Sequence, residues 1–348
     1  MDYIDLRSDT VTHPTPEMLQ AMLGAPLGDD VYEEDPTVNR LQELAAERMG
    51  KEAGLFVASG TMGNLVAILT HCGRGDEIIL GNLSHTFLFE AGGTAALGGV
   101  HSYVLPNQAD GSLLLDDIRD AIRSDNVHYP TSRLLCLENT HNRCGGVVLS
   151  PEYTQAAAAL AHENGLKVHL DGARVFNAAA ALAIPVSALT LPVDSVTFCL
   201  SKALCAPVGS VLCGTADFIR KARHIRKQLG GGMRQAGVLA AAGIIAIEKM
   251  ADLLPEDHHR ARMLAEGLGA IPGVRLDFGL PVSNMVFFSL DPALPLSAKQ
   301  VAERLEMSFI KVGVTGNRSF RLVTHYWIKD TDIQKTVDTI KEVLSVQG

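Results

Sequence analysis

The sequence predicts an α/β protein, a mainly parallel sheet flanked by helices and followed by a small C-terminal α+β domain. Two patterns carry that expectation. From Gly54 to Leu200, short apolar runs alternate with helical stretches, as in strand–helix–strand crossovers that bury a parallel sheet on both faces. Beyond Leu254-Pro255 the order becomes helix, strand, helix, strand, helix, which reads as a smaller unit of about 100 residues. The expected division is residues 1–250 for an N-terminal arm and large domain, and 251–348 for the small domain.

Residues 1–35 have few periodic apolar positions and read as an arm with loops around a short helix, Pro16 suiting its first turn. Asp35-Pro36-Thr37 opens a helix through Met49, with Val38, Leu41, Leu44 and Ala45 on one face. Gly54–Ala58 is a strand leading into a helix from Thr61 to Cys72. Further strands are expected at Asp76–Leu80, Val100–Val104 and Arg133–Glu138, and helices at Leu113–Arg123 and Pro151–Asn164. Lys167–Leu170 and Ser195–Leu200 are two more strands with β-branched residues. A helical stretch from Ala216 to Met250, broken at Gly230-Gly-Gly232, reads as the bridge to the small domain. That domain has strand patterns at Asn284–Ser289 and Ser319–Thr324, with helices ending at Leu268, spanning Ala298–Glu306 and starting at Thr331.

Hydrophobic residues make up 47% of the 348, with 32 glycines and 15 prolines, so a sizeable core with many tight turns is expected. The net charge of −9 argues against a general nucleic-acid or membrane-surface role, since both need a basic face. Six cysteines show neither C-x-x-C pairing nor a zinc-like Cys/His spacing, which suits free thiols in a reducing compartment. Asp2, Asp5, Arg7 and Asp9 leave no apolar signal core, and the uncharged stretch Ala178–Val193 is too short for a bilayer. A cytoplasmic protein acting on a small molecule is expected.

The most informative feature is a pair of strand ends. Lys167–Leu170 runs into Asp171-Gly-Ala-Arg174, and Ser195–Leu200 into Ser201-Lys202. An acid and an amine placed so can converge at the mouth of a sheet, where open α/β sheets bind ligands. The pair suits pyridoxal phosphate, whose aldehyde takes a lysine and whose ring nitrogen is kept protonated by a carboxylate. An ordinary salt bridge is the alternative. Ser59-Gly-Thr-Met-Gly-Asn64 lies between a strand and a helix, where free N–H groups and the Thr61 hydroxyl can hold a phosphate or simply cap a tight turn. The basic run Arg220–Lys227 is either a solvated helix face or an anion site, and Arg234 follows on the glycine segment. Arg174 and Arg321 follow or sit within apolar strand patterns, where a guanidinium is costly unless paired. Each either clamps a substrate carboxylate or makes an internal salt bridge. His85 is a core or capping residue, or a flat ring stacked on a planar cofactor and able to move a proton. Nothing intrinsic lifts His128 above a surface histidine. Glu138-Asn-Thr-His-Asn142 suits a site mouth or a polar turn.

Together these segments resemble the threonine aldolase family, pyridoxal-phosphate enzymes of fold type I, the aspartate-aminotransferase-like fold. The matching stretches are Asp5–Val11, Gly28–Tyr32, Gly60–Asn64, Glu138–Asn142, Asp171–Arg174, Leu200–Lys202, Gly230–Gln235 and Arg321–His325, in order over nearly the whole chain. The resemblance implies that Lys202 makes the Schiff base, that Asp171 pairs with the ring nitrogen, and that Gly60 and Thr61 bind the phosphate. It implies that His85 stacks on the ring and that Ser8, Arg174 and Arg321 hold the substrate carboxylate. His85 and His128 match positions near the β-hydroxyl. Lys227 and Arg234 match basic residues that reach the phosphate from a neighbouring subunit, so a homo-oligomer, a dimer of dimers, is implied. The implied reaction is cleavage of a β-hydroxy-α-amino acid to glycine and an aldehyde, acetaldehyde for threonine. His85, His128 or an activated water would take the hydroxyl proton. A β-eliminating amino-acid lyase on the same fold would share Lys202, Asp171 and an arginine clamp. The Asp5–Val11 and Gly28–Tyr32 segments favour the aldolase. No ligand cluster compels a metal ion, and the preferred configuration at Cβ stays open.

Overall fold

The protein is described here by a computed structural model covering residues 3–345. In chain order its strands are Ile4–Leu6 (β1), Ala53–Val57 (β2), Glu77–Gly81 (β3), His101–Leu105 (β4), Ser132–Glu138 (β5), Lys167–Asp171 (β6), Ser195–Cys199 (β7), Ser210–Gly214 (β8), Val274–Leu276 (β9), Met285–Leu290 (β10), Ile310–Val314 (β11) and Ser319–Val323 (β12). The large sheet has the order β2-β8-β7-β6-β5-β3-β4. Neighbours from β7 through β4 are parallel, and β8 runs antiparallel to both β2 and β7. Strands β3, β7 and β8 are buried at every position, which is why the sequence shows continuous apolar runs there rather than alternation. The mainly parallel sheet under helices is the architecture that the sequence predicts.

Helices cover both faces. Pro36–Met49 buries Val38, Leu41 and Met49 with Phe56 and Phe198, as its one-faced pattern predicts. Strand β8 was not anticipated. It is a short return between Gly209 and the helix Ala216–Gln228, with no alternation to separate it from the helical stretch that follows.

The smaller sheet has the order β1-β11-β12-β10-β9. Its core joins Leu6, Val301, Leu322 and the stacked pair Phe288 and Phe320, whose rings lie 4.6 Å apart. Strand β1 pairs in parallel with β11, so the arm expected to accompany the large domain supplies the edge of the smaller sheet. From there residues 7–12 cross to the large sheet, where Thr12 Oγ1 donates to the Lys202 carbonyl at 2.9 Å. Three residues in β1 and β9, and a glycine in β11, are too little pattern to read as strands without their partners.

The helix Gly60–His71 sits directly on the large sheet. A Cβ at Gly63 would lie 2.4 Å from Thr197 Cγ2, and one at Gly60 2.9 Å from Cys199 Sγ. Both glycines therefore let the first turn of this helix rest against β7. Overpacking of this kind costs about 1–3 kcal/mol. Gly63→Ala should accordingly lower the denaturant midpoint of unfolding, and an unchanged midpoint would contradict the close seating.

Candidate active site

The C-terminal ends of β5, β6 and β7 deliver Glu138, Asp171 and, three residues past Cys199, Lys202 to one edge of the large sheet. This is the edge at which open α/β sheets bind ligands. Asp171 is buried. Its Oδ2 accepts from Asn64 Nδ2 at 2.9 Å and its Oδ1 from the Ala173 N–H at 3.1 Å. Among the described residues no ion pair engages Asp171, and neither an ion pair nor a hydrogen bond engages Lys202 Nζ. The simple Asp–Lys salt bridge is thus not formed. A buried carboxylate served only by neutral donors, beside an unpaired lysine, fits a cofactor that brings a protonated ring nitrogen and an aldehyde.

Gly60 and Thr61 open the helix that follows β2, with Ser59 Oγ accepting from the Met62 N–H at 3.2 Å. The Ser59 cap thus serves Met62 and leaves the first helical N–H groups facing outward. The glycine segment is close by, since a Cβ at Gly231 would meet Met62 Sδ at 2.5 Å. Lys227 and Arg234 are exposed on either side of that segment, Arg234 pairing with Asp29 at 3.1 Å. The basic run divides by burial. Arg226 is a buried strut bound to Asp30 at 2.6 Å and to the Phe56 carbonyl at 2.8 Å. Arg220, Arg223, His224 and Lys227, together with Arg226, line a 280 Å³ cavity.

His85 is half-buried on a short helix after β3. Its backbone N–H donates to Glu138 Oε2 at 2.7 Å, and its Nδ1 lies 3.0 Å from Glu90 Oε1. The Glu90 hydrogen bond raises the His85 pKa, with Asp171 acting in the same direction and Lys202 against it. Burial, reinforced by Asp171, raises that of Glu90.

The two arginines take different positions. Arg174 grips Asp9 through Nε at 2.6 Å and Nη2 at 2.5 Å. The internal salt bridge left open by the sequence is therefore the one formed, and Nη1 with the second hydrogen of Nη2 stays available to a ligand. Arg321 is less committed. Its Nη1 donates to Asn142 Oδ1 at 2.8 Å, and burial together with the Arg174 charge holds its pKa below the usual value. Ser8 starts the turn that carries Asp9, accepting from the Thr10 N–H at 3.3 Å.

His128 is not brought to this site within the chain. It is exposed in a turn that precedes β5, which puts it at the opposite edge of the sheet. Arg123 marks that edge, stacked on Tyr129 and paired with Glu77 at the start of β3. Asn64, Glu90 and Asp9 were not singled out from the sequence. The signal for Glu90 was a lone carboxylate after the apolar run Phe87-Leu-Phe89, and for Asp9 its place beside Ser8.

Burial alone would raise the Asp9 pKa, but the Arg174 guanidinium reverses this and holds it well below the usual carboxylate range. The stabilisation is full above the unfolded value of about 4 and is lost as pH falls through the lower folded value. Asp9→Asn should cost about 3–5 kcal/mol at neutral pH by leaving a buried guanidinium unpaired. In urea titrations the wild-type advantage should shrink below about pH 4; an advantage independent of pH would assign the effect to packing.

A model of the Beta-eliminating lyase family matches residues 5–291. Low-specificity L-threonine aldolase 1 of Arabidopsis thaliana is 46% identical over 348 residues, covering 99% of this chain and 97% of that protein. The low specificity L-threonine aldolase of Escherichia coli K12 is 51% identical over 265 residues, covering 76% and 79%. Among solved structures, a threonine aldolase of Leishmania major superposes with a TM-score of 0.84 at 22% identity, covering 98% of this chain and 100% of that one. The chain therefore belongs to the Beta-eliminating lyase family and, within it, to the threonine aldolases.

Proposed function

We propose that this chain cleaves L-threonine and L-allo-threonine to glycine and acetaldehyde with pyridoxal phosphate as cofactor. The observation that carries this reading is a buried Asp171 and a Lys202 on adjacent strand ends, neither of which makes an ion pair among the described residues. Lys202 would hold the cofactor through Nζ, Asp171 would face its ring nitrogen, and Gly60 and Thr61 would receive its phosphate. The bound cofactor supplies a sink for the electron pair released when the Cα–Cβ bond breaks.

The chain's own residues supply orientation and proton handling. Arg321, the remaining Nη1 of Arg174 and the Ser8 hydroxyl hold the substrate carboxylate. That grip would fix rotation about Cα and so select which of its bonds is presented for cleavage. Arg321 is itself steadied by Asn142, whose N–H donates to Glu138 Oε1 at 2.9 Å, and the other oxygen of Glu138 holds the His85 backbone. One carboxylate thus sets the spacing between the clamp and the histidine. His85 is the residue best placed in this chain to take the β-hydroxyl proton. His128 would join it only from a second chain.

The chain acts as a homo-oligomer, a dimer of dimers with sites at subunit interfaces. Support comes from His128, which is stranded in one chain, and from Phe87, Leu88 and Phe89, which are exposed beside His85. The protein is cytoplasmic in this reading; no helix among the described residues is long and apolar enough to cross a membrane. Six buried free thiols are in keeping with it.

Glycine and acetaldehyde should appear in equal amounts from threonine, with the rates on the two diastereomers giving the preference at Cβ. Pyruvate and ammonia would instead identify a β-eliminating lyase. Lys202→Ala should abolish turnover and the absorption band of the enzyme-bound cofactor; retention of both would end this assignment. A hydrogen bond to a charged partner contributes about 1.5–3 kcal/mol. Arg321→Ala should therefore raise KM by roughly 10- to 100-fold, while an unchanged KM would remove Arg321 from the clamp.

A further inference from the structure

His85 does not stand alone against the site. Its Nδ1 meets Glu90 Oε1 at 3.0 Å, and the same oxygen accepts from Asn64 Nδ2 at 2.8 Å. Asn64 Nδ2 also donates to Asp171 Oδ2 at 2.9 Å. The nearest ligand-type atoms of His85, Glu90 and Asp171 all lie within 4.8 Å of one another. One amide therefore holds two buried carboxylates, one facing the cofactor site and one facing the histidine.

Deeper contacts fix the orientation of that amide. Because Nδ2 serves both carboxylates, Oδ1 of Asn64 must accept, and its partner is His169 Nε2 at 3.1 Å. His169 Nδ1 then accepts from Ser195 Oγ at 2.9 Å, and Ser195 Oγ accepts from His71 Nε2 at 2.9 Å. Burial pushes His169 down to about 4 and His71 down to about 3, so both rings are neutral and each makes one donation. Every proton in the chain points toward Glu90 and Asp171. With Glu90 Oε1 an acceptor, Nδ1 of His85 must be the nitrogen that carries hydrogen.

From this geometry we infer that Glu90 is a positioning residue: it holds Nδ1–H of His85 and so presents a bare Nε2 to the substrate. The catalytic consequence rests on the reading of His85 given above, but the tautomer does not. A neutral imidazole with its proton on Nδ1 has one free lone pair, on Nε2, and only there can it take the β-hydroxyl proton. The charged groups facing His85 are Glu90 and Asp171, which favour its protonated form, Lys202, which opposes it, and Glu138, which holds its backbone. Of these, only Glu90 hydrogen-bonds the ring.

The test compares wild-type holoenzyme with Glu90→Gln and Glu90→Asp, using histidine labelled with 15N in the ring. In the wild type the neutral His85 ring should show hydrogen on Nδ1. In Glu90→Gln the ring should titrate at lower pH and lose its single tautomer, because the new amide offers a hydrogen as well as an acceptor. Glu90→Asp, one methylene short, should also lose the bond to Nδ1, while the cofactor absorption band of both variants stays in place. With threonine, kcat of Glu90→Gln should fall on the order of 10- to 100-fold with KM little changed, and the acidic limb of its pH profile should move to lower pH. An unaltered tautomer and titration in both variants would overturn the inference, as would hydrogen on Nε2 in the wild type. Failure of the wild type to release glycine would refute the aldolase reading, while the ring spectra would still judge Glu90.

Discussion

The buried ion pair between Arg174 and Asp9 is the constraint on which the rest of the site depends. Its partners come from opposite ends of the chain's logic. Arg174 follows the β6 strand of the large sheet, and Asp9 lies on the arm whose first strand belongs to the smaller sheet. Asn284, just before β10, also reaches Asp9, donating from Nδ2 at 3.3 Å. A bidentate guanidinium–carboxylate contact has little angular freedom. Closing it therefore fixes the arm against the floor of the site and the smaller sheet against the arm. The carbonyl of Arg7, two residues before Asp9, is carried to Arg321 by the same contact, accepting from its Nη2 at 3.4 Å.

That constraint also sets the charge of the site. Two arginines this close repel, and Asp9 makes the arrangement tolerable by neutralising one of them. Arg321, by contrast, makes no ion pair among the described residues. Around Asp171 the balance is reversed. Asp171 and Glu90 share one neutral amide, and among the described residues the one ion pair made by either is that of Glu90 with His85. Arg321 and Asp171 thus each lack an ion-pair partner among the described residues, one positive and one negative. A zwitterionic amino acid and a cofactor with a basic ring nitrogen are complementary to such a division.

Much of this was legible in the chain. The alternation of apolar runs and helical stretches reports burial on both faces of a parallel sheet, and it located β2 to β7 within a residue or two. Asp171 and Lys202 stood out because each polar group closes an apolar run, and a strand end can lie only at one edge of the sheet. Strands β1, β8, β9 and β11 were less legible. Each is short or lacks alternation, and is defined by the neighbour it pairs with.

The layered fold and the candidate cofactor pair, arginines and histidines could be read from the chain, because periodicity and local composition record which side chains must be buried. Folding sets what those residues do with one another. Asp9 and Arg174 are 165 positions apart, and Asn64 and Asp171 are 107 apart. No local pattern says that such groups meet. It also separated His85 from His128, which look alike as residues but stand at opposite edges of one sheet. Pairing of this kind depends on strand order and direction, which arise only when the sheet closes.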